Sequence, residues 1–174
     1  GIWESYFENG EINTRGRFVE GKMSGKWEVF YPDGSRKTQT DYKEGVKNGT
    51  EILYDENGTI YQKADYKEGV MNGRWERYVE GILIEKGGYV EGKKDGLWIF
   101  YAQNGYKQRE QEFKQGKPNG KWIEYYSANK KSAEGEYTDG QKSGTWKNYD
   151  KRGNVLSETI FKNGKKVKEE IKKK

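Results

Sequence analysis

Tryptophan recurs in this chain at a spacing of 23 or 24 residues, at Trp3, Trp27, Trp75, Trp98, Trp122 and Trp146, with Glu51 where the missing member would stand. Fixed spacing of this length marks repeated supersecondary units, each too small to bury its own apolar face and stable only when stacked on its neighbours. Seven units begin at Gly1, Gly25, Gly49, Gly73, Gly96, Gly120 and Gly144, which gives repeats 1–24, 25–48, 49–72, 73–95, 96–119, 120–143 and 144–167, followed by a basic tail at 168–174. With positions counted inside a repeat, tryptophan stands at position 3. Position 6 is aromatic throughout, as Tyr6, Phe30, Tyr54, Tyr78, Tyr101, Tyr125 and Tyr149. Allowing for one residue deleted from the fourth repeat, position 18 is Phe18, Tyr42, Tyr66, Tyr89, Phe113, Tyr137 and Phe161, and positions 1 and 21 are always glycine.

Turn chemistry punctuates each unit twice. Asn9-Gly10, Asp33-Gly34, Asn57-Gly58 and Asn104-Gly105 stand near the middle, and Ser24-Gly25, Asn48-Gly49, Asn72-Gly73, Asp95-Gly96, Asn119-Gly120 and Ser143-Gly144 span the junctions. Such pairs accept positive φ and join antiparallel strands, so each unit reads as a β-hairpin. A two-residue turn at positions 9 and 10 pairs positions that sum to 19. Trp3 then faces Gly16, and the position 16 series (Gly16, Thr40, Ala64, Gly87, Gln111, Gly135, Thr159) is small in six of seven members. Large rings over small partners are a stabilising cross-strand arrangement. Charges agree with this register: Glu4 faces Arg15, Lys26 faces Asp41, Lys121 faces Glu136 and Lys147 faces Glu158.

Alternation along a strand puts positions 3, 5, 7, 12, 14, 16 and 18 on one face and 2, 4, 6, 13, 15 and 17 on the other. The expected product is an all-β, elongated, single-layer, twisted antiparallel sheet of seven tandem hairpins and about fourteen strands. Trp3, Trp27, Trp75, Trp98, Trp122 and Trp146 form a structural ladder inside it. The position 6 row (Tyr6, Phe30, Tyr54, Tyr78, Tyr101, Tyr125, Tyr149) is the more exposed ladder and the candidate surface for a partner.

The repeat motif, seen as Gly25-Lys26-Trp27-Glu28-Val29-Phe30-Tyr31-Pro32-Asp33-Gly34, resembles the bacterial MORN-repeat variant family, and the resemblance covers residues 1 to about 167. It departs at Glu51, at the shortened fourth repeat and at Asn129, which replaces the mid-repeat glycine. The resemblance implies tandem hairpins in an elongated sheet. For function it implies protein-interaction scaffolds, phospholipid binders, parts of lipid kinases, and bacterial proteins described as antitoxins or surface factors. No segment of the chain is left over for a kinase domain.

Composition narrows the chemistry. With 31% hydrophobic and 35% charged residues, no thick globular core is expected, and order must come from ladders along the sheet. The chain has no His and no Cys, which removes imidazole bases, thiolate nucleophiles, disulfides and the usual zinc ligand sets. Its acids are spread over the repeats and matched by bases instead of being paired in a cleft, so no catalytic residue, metal site or cofactor is expected. The net charge of +5 lies in the segment from Lys162 to Lys174, leaving residues 1–161 neutral, so no nucleic-acid partner is expected. Gly21 to Lys26 is one residue short of a phosphate loop and runs into Trp27, and Asp55-Glu56-Asn57-Gly58 is too short for a calcium loop. The expected function is a non-catalytic scaffold for a protein partner, with a glycan or cell-wall ligand, or an anionic membrane surface, as the alternative. Gly1 is not preceded by Met, and removal of a leader ahead of it would favour a secreted, periplasmic or surface location.

Overall fold

The computed structural model describes residues 1–172. Its secondary structure is entirely strand and turn. Fifteen antiparallel strands follow one another in the hydrogen-bonded order β1 to β15 without a crossover. Two compact units divide them. The first holds β1 (Ile2–Tyr6), β2 (Ile12–Val19), β3 (Lys22–Phe30), β4 (Arg36–Lys43), β5 (Val46–Tyr54), β6 (Ile60–Lys67) and β7 (Val70–Val79), with the two ends of β8 (Ile82–Val90). The second holds the middle of β8, then β9 (Lys93–Tyr101), β10 (Lys107–Lys114), β11 (Lys117–Ser127), β12 (Lys130–Thr138), β13 (Gln141–Tyr149), β14 (Val155–Lys162) and β15 (Lys165–Ile171). The fifteenth strand takes in residues 168–171 of the stretch read as a tail.

The register that sums to 19 holds over the outer part of the hairpins. Trp3 pairs with Gly16, Trp27 with Thr40, Trp122 with Gly135 and Trp146 with Thr159. Closer to the turn it breaks. In the first repeat the loop has three residues: the Gly10 amide donates to the Phe7 carbonyl at 3.0 Å, and the Phe7 amide donates to the Glu11 carbonyl at 2.8 Å. Gly10 sits at φ 88°, which only a residue without Cβ reaches cheaply, and it closes a type I turn with a bulge. The odd loop length is absorbed by a second bulge, where Tyr6 pairs with Ile12 and Asn13 is the extra residue. Position 12 therefore moves off the tryptophan face, where it was expected, onto the face of position 6. Arg36, at position 12, accordingly meets Glu28 at 2.8 Å and lies over the Tyr54 ring.

The junction dipeptides are not turns. Ser24-Gly25 and its counterparts lie inside strands, where the register slips between Arg15 and Arg17. The chain reverses instead at Glu20-Gly21, with φ of 50° and 75°, and at the equivalent pair in every later repeat. Two consecutive positive φ values make a type I′ turn, whose twist matches that of paired strands. A glutamate at positive φ is uncommon, and its backbone is tied down from the preceding repeat. The Glu68 amide donates to Asn48 Oδ1 at 3.2 Å, the Asp139 amide to Asn119 Oδ1 at 3.1 Å, and the Gly69 amide to the Lys47 carbonyl at 2.8 Å. The junction Asn or Asp thus staples the next repeat's turn.

The indole row runs through positions 3 and 16. In the first unit it passes Trp3, Gly16, Trp27, Thr40, Glu51, Ala64 and Trp75, and in the second Gly87, Trp98, Gln111, Trp122, Gly135, Trp146 and Thr159. The indole that covers each glycine comes from the following repeat, not from the same hairpin. An ideal Cβ on Gly16 would stand 2.1 Å from Trp27 Cδ2, and one on Gly135 2.2 Å from Trp146 Cδ2. Position 18 rings meet the indoles edge-on, as in Phe18–Trp27 at 4.9 Å and Tyr137–Trp146 at 5.2 Å.

Candidate functional site

The structure places the seven position 6 residues on the face opposite the indoles. In the first unit Tyr6 is exposed at the end of β1, while Phe30, Tyr54 and Tyr78 are half-buried at the ends of β3, β5 and β7. In the second, Tyr101, Tyr125 and Tyr149 are half-buried near the ends of β9, β11 and β13. Alternation along each strand brings position 4 to the same side. The Tyr6 hydroxyl donates to Glu4 at 2.6 Å, and the Tyr78 hydroxyl donates to Glu76 at 2.6 Å. Position 15 arrives from the preceding repeat, so that Tyr125 donates to Glu110 at 3.2 Å and Tyr149 donates to Glu134.

Cations lie against the same rings. Arg36 sits 5.7 Å from the Tyr54 centroid, Lys63 5.4 Å from Tyr78, Lys86 5.7 Å from Tyr101 and Lys107 5.2 Å from Tyr125. Lys107 and Lys131 are also salt-bridged to Glu110 and Glu134. Tyr78 and Tyr125 are thereby each fixed between an acid and a base. Burial, then the bond to the adjacent carboxylate, pushes the Tyr78 and Tyr149 hydroxyls up to about 12. Glu134 is held below its ordinary range by the Lys131 bond first and the Tyr149 bond second. The aromatic positions were legible by period alone. Lys63 and Lys86, at position 15, were legible on that face by alternation, whereas Arg36 and Lys107 reach the rings only through the bulge that relocates position 12.

The six tryptophans fall into two groups. Trp27, Trp98 and Trp146 are buried, Trp98 with none of its surface exposed, and each stands over Gly16, Gly87 or Gly135. Trp75 and Trp122 are half-buried, following Ala64 and Gln111, and Trp3 on the outermost strand is 42% exposed. Lysines at position 23 roof this face. Lys94 lies 3.6 Å from the Trp98 centroid and Lys142 4.0 Å from that of Trp146. In the third repeat the missing indole is replaced by a buried carboxylate. Glu51 accepts from Lys47 Nζ at 2.5 Å and from Thr40 Oγ1 at 3.3 Å. Burial, then the neighbouring Glu51 charge, raises the Tyr66 hydroxyl to about 12.

Among the described residues no group of three or more acidic side chains is placed to hold a metal ion. What recurs is a repeat surface of aromatic rings set among alternating charges, on a sheet made of tandem hairpins. This defines a tandem hairpin-repeat protein. The family comparison agrees: residues 1–20, 23–44, 47–68 and 142–163 match the MORN repeat variant, so these four repeats are of that family. The second and third matched segments begin just after one type I′ turn and end at the next, so the family unit is the segment between those turns. MORN repeats are a non-catalytic module, generally binding proteins or membranes. A comparison with curated proteins returned no match.

Proposed function

We propose that this chain is a non-catalytic scaffold that binds a protein partner through the position 6 row of each unit. The observation that supports the reading is the condition of the tyrosines. They remain partly exposed, yet hydroxyl bonds to Glu4, Glu76, Glu110 and Glu134 and cations over the rings hold their rotamers before any partner arrives. Tyrosine is, with tryptophan and arginine, enriched at interface hot spots, and prior ordering lowers the entropy lost on association. Stacking on a sugar ring is the weaker reading, since Lys63, Lys86 and Lys107 already lie against rings a sugar would need.

The test is affinity for a partner captured by cross-linking and then purified, measured with the double variants Tyr54→Ala/Tyr78→Ala in the first unit and Tyr101→Ala/Tyr125→Ala in the second. Loss of at least one hot spot, worth about 2 kcal/mol or roughly thirtyfold in Kd, is expected in one of them. Unchanged affinity in both folded variants would remove the position 6 row from the interface.

A further inference from the structure

The mid-repeat turns reverse charge along the sequence. The first five, at Glu8-Asn9-Gly10, Pro32-Asp33-Gly34, Glu56-Asn57-Gly58, Glu80-Gly81 and Gln103-Asn104-Gly105, are acidic or neutral, and no Lys or Arg stands at their tips or in the residue that follows. The last two are basic. Lys130 and Lys131 follow Ala128-Asn129, and Lys151-Arg152 form the tip before Gly153. These two turns enclose a cleft of about 570 Å³ lined by Asn129, Lys130, Lys131, Tyr149, Asp150, Lys151, Arg152 and Gly153.

The one acid in the lining, Asp150, is bonded within its own turn. Asp150 Oδ1 accepts the Arg152 amide at 2.8 Å and the Asn154 amide at 2.9 Å, while Oδ2 accepts the Asn154 side chain at 3.0 Å. That carboxylate caps its own turn. Lys131 is held by Glu134 at 2.6 Å, and the same Glu134 takes the Tyr149 hydroxyl. Lys130, Lys151 and Arg152 form no ion pair among the described residues. Three cations without an ion pair thus line one concavity and outnumber its one carboxylate, Asp150, in a chain whose first 161 residues sum to zero charge.

We propose that this cleft binds a phosphate-bearing small ligand carrying at least two negative charges. Arg152 would supply a planar fork that suits paired phosphate oxygens, and Lys130 and Lys151 would act as point charges beside it. The only ring in the lining is Tyr149, so affinity comes from charge and falls as salt rises. The site shares only Tyr149 with the position 6 row, and its cations are separate from the pairs over Tyr54, Tyr78, Tyr101 and Tyr125.

The experiment titrates the full chain with inorganic pyrophosphate at low salt and follows backbone amides by NMR. Saturable shifts confined to residues 129–131 and 149–153 are expected. Arg152→Ala should weaken binding about tenfold, the effect of losing one charge-assisted contact, and Arg152→Lys by less. Lys165→Ala on β15 should change nothing. All of these side chains are exposed, so circular dichroism should be unaltered. Sedimentation with phosphatidylcholine vesicles with and without phosphatidic acid separates the sources. Recruitment by phosphatidic acid that is lost in Lys151→Ala/Arg152→Ala assigns a lipid-borne phosphate, and pyrophosphate binding without recruitment assigns a soluble one. Shifts that spread over the lysines without saturating, or an affinity unmoved by Arg152→Ala, overturn the site.

Discussion

Gly135→Ala adds one methyl group at the point where two repeats interlock. Its Cβ would stand 2.2 Å from Trp146 Cδ2 and 2.3 Å from Cε2, so the indole must retreat by about 1.3 Å to reach van der Waals distance. That ring is held on several sides. Its Nε1 donates to the Glu136 carbonyl at 3.2 Å, Tyr137 meets it edge-on at 5.2 Å, Trp122 stacks against it at 5.0 Å, and Lys142 covers it at 4.0 Å. Overpacking of this kind costs about 1–3 kcal/mol, and a weakened indole bond adds about 1 kcal/mol. The alanine returns about 0.5–1 kcal/mol by restricting the unfolded chain. A net loss of about 2 kcal/mol follows, or a fall in Tm of about 4–8 °C for a chain of this size. Urea unfolding followed by circular dichroism measures it. The same substitution made in a Trp146→Leu background should cost at least about 1 kcal/mol less, because the colliding ring is gone. A neutral or stabilising Gly135→Ala, or equal costs in both backgrounds, would refute the interlock.

Three further outcomes follow from the same geometry. Tyr66, Tyr78 and Tyr149 have hydroxyls raised from 10.0 to about 12, so the folded state keeps its proton while the unfolded chain loses it. The stability they contribute is whole below pH 10 and is lost as pH climbs from there towards 12, which urea midpoints and tyrosinate absorbance across that window will show. Asn119→Ala removes the acceptor of the Asp139 amide and should cost about 1 kcal/mol in urea, with hydrogen exchange accelerated first at the Asp139-Gly140 turn. Glu51→Ala leaves Lys47 without its carboxylate against Tyr66 and should cost about 2 kcal/mol, of which Glu51→Gln recovers only part.

Much of this architecture was legible because its determinants are periodic. The indoles, the small residues facing them and the Glu4–Arg15 and Lys147–Glu158 pairs all follow from one sum rule, and the rule holds wherever strands run without interruption. It fails where the backbone departs from regular pairing. Asn13 as a bulge residue carries no distinctive side chain, so the displacement of position 12 was invisible, and with it the cations over Tyr54 and Tyr125. The turns at Glu20-Gly21 were missed for a related reason. Glutamate is a poor signal for positive φ, whereas Asn and Asp at the junctions carry strong turn chemistry that is spent here on bonds to a neighbouring repeat's backbone. Glu51 read as a lapse in the pattern. Its accommodation was traceable in principle, since Lys47 stands four residues before it, at the position that elsewhere places Lys94 and Lys142 over indoles.

The proposed binding mode divides labour between the faces: one row of rings holds the sheet, and the other is available to a partner. Trp98 and Tyr101 test it on a single strand, β9, where the first is fully buried against Gly87 and the second lies half-exposed on the opposite side beside Lys86. The decisive measurement is the unfolding free energy in urea of Trp98→Ala beside that of Tyr101→Ala. A loss of about 3–5 kcal/mol for Trp98→Ala against about 1 kcal/mol for Tyr101→Ala is the predicted result. Equal losses, or a larger one from Tyr101→Ala, would contradict it.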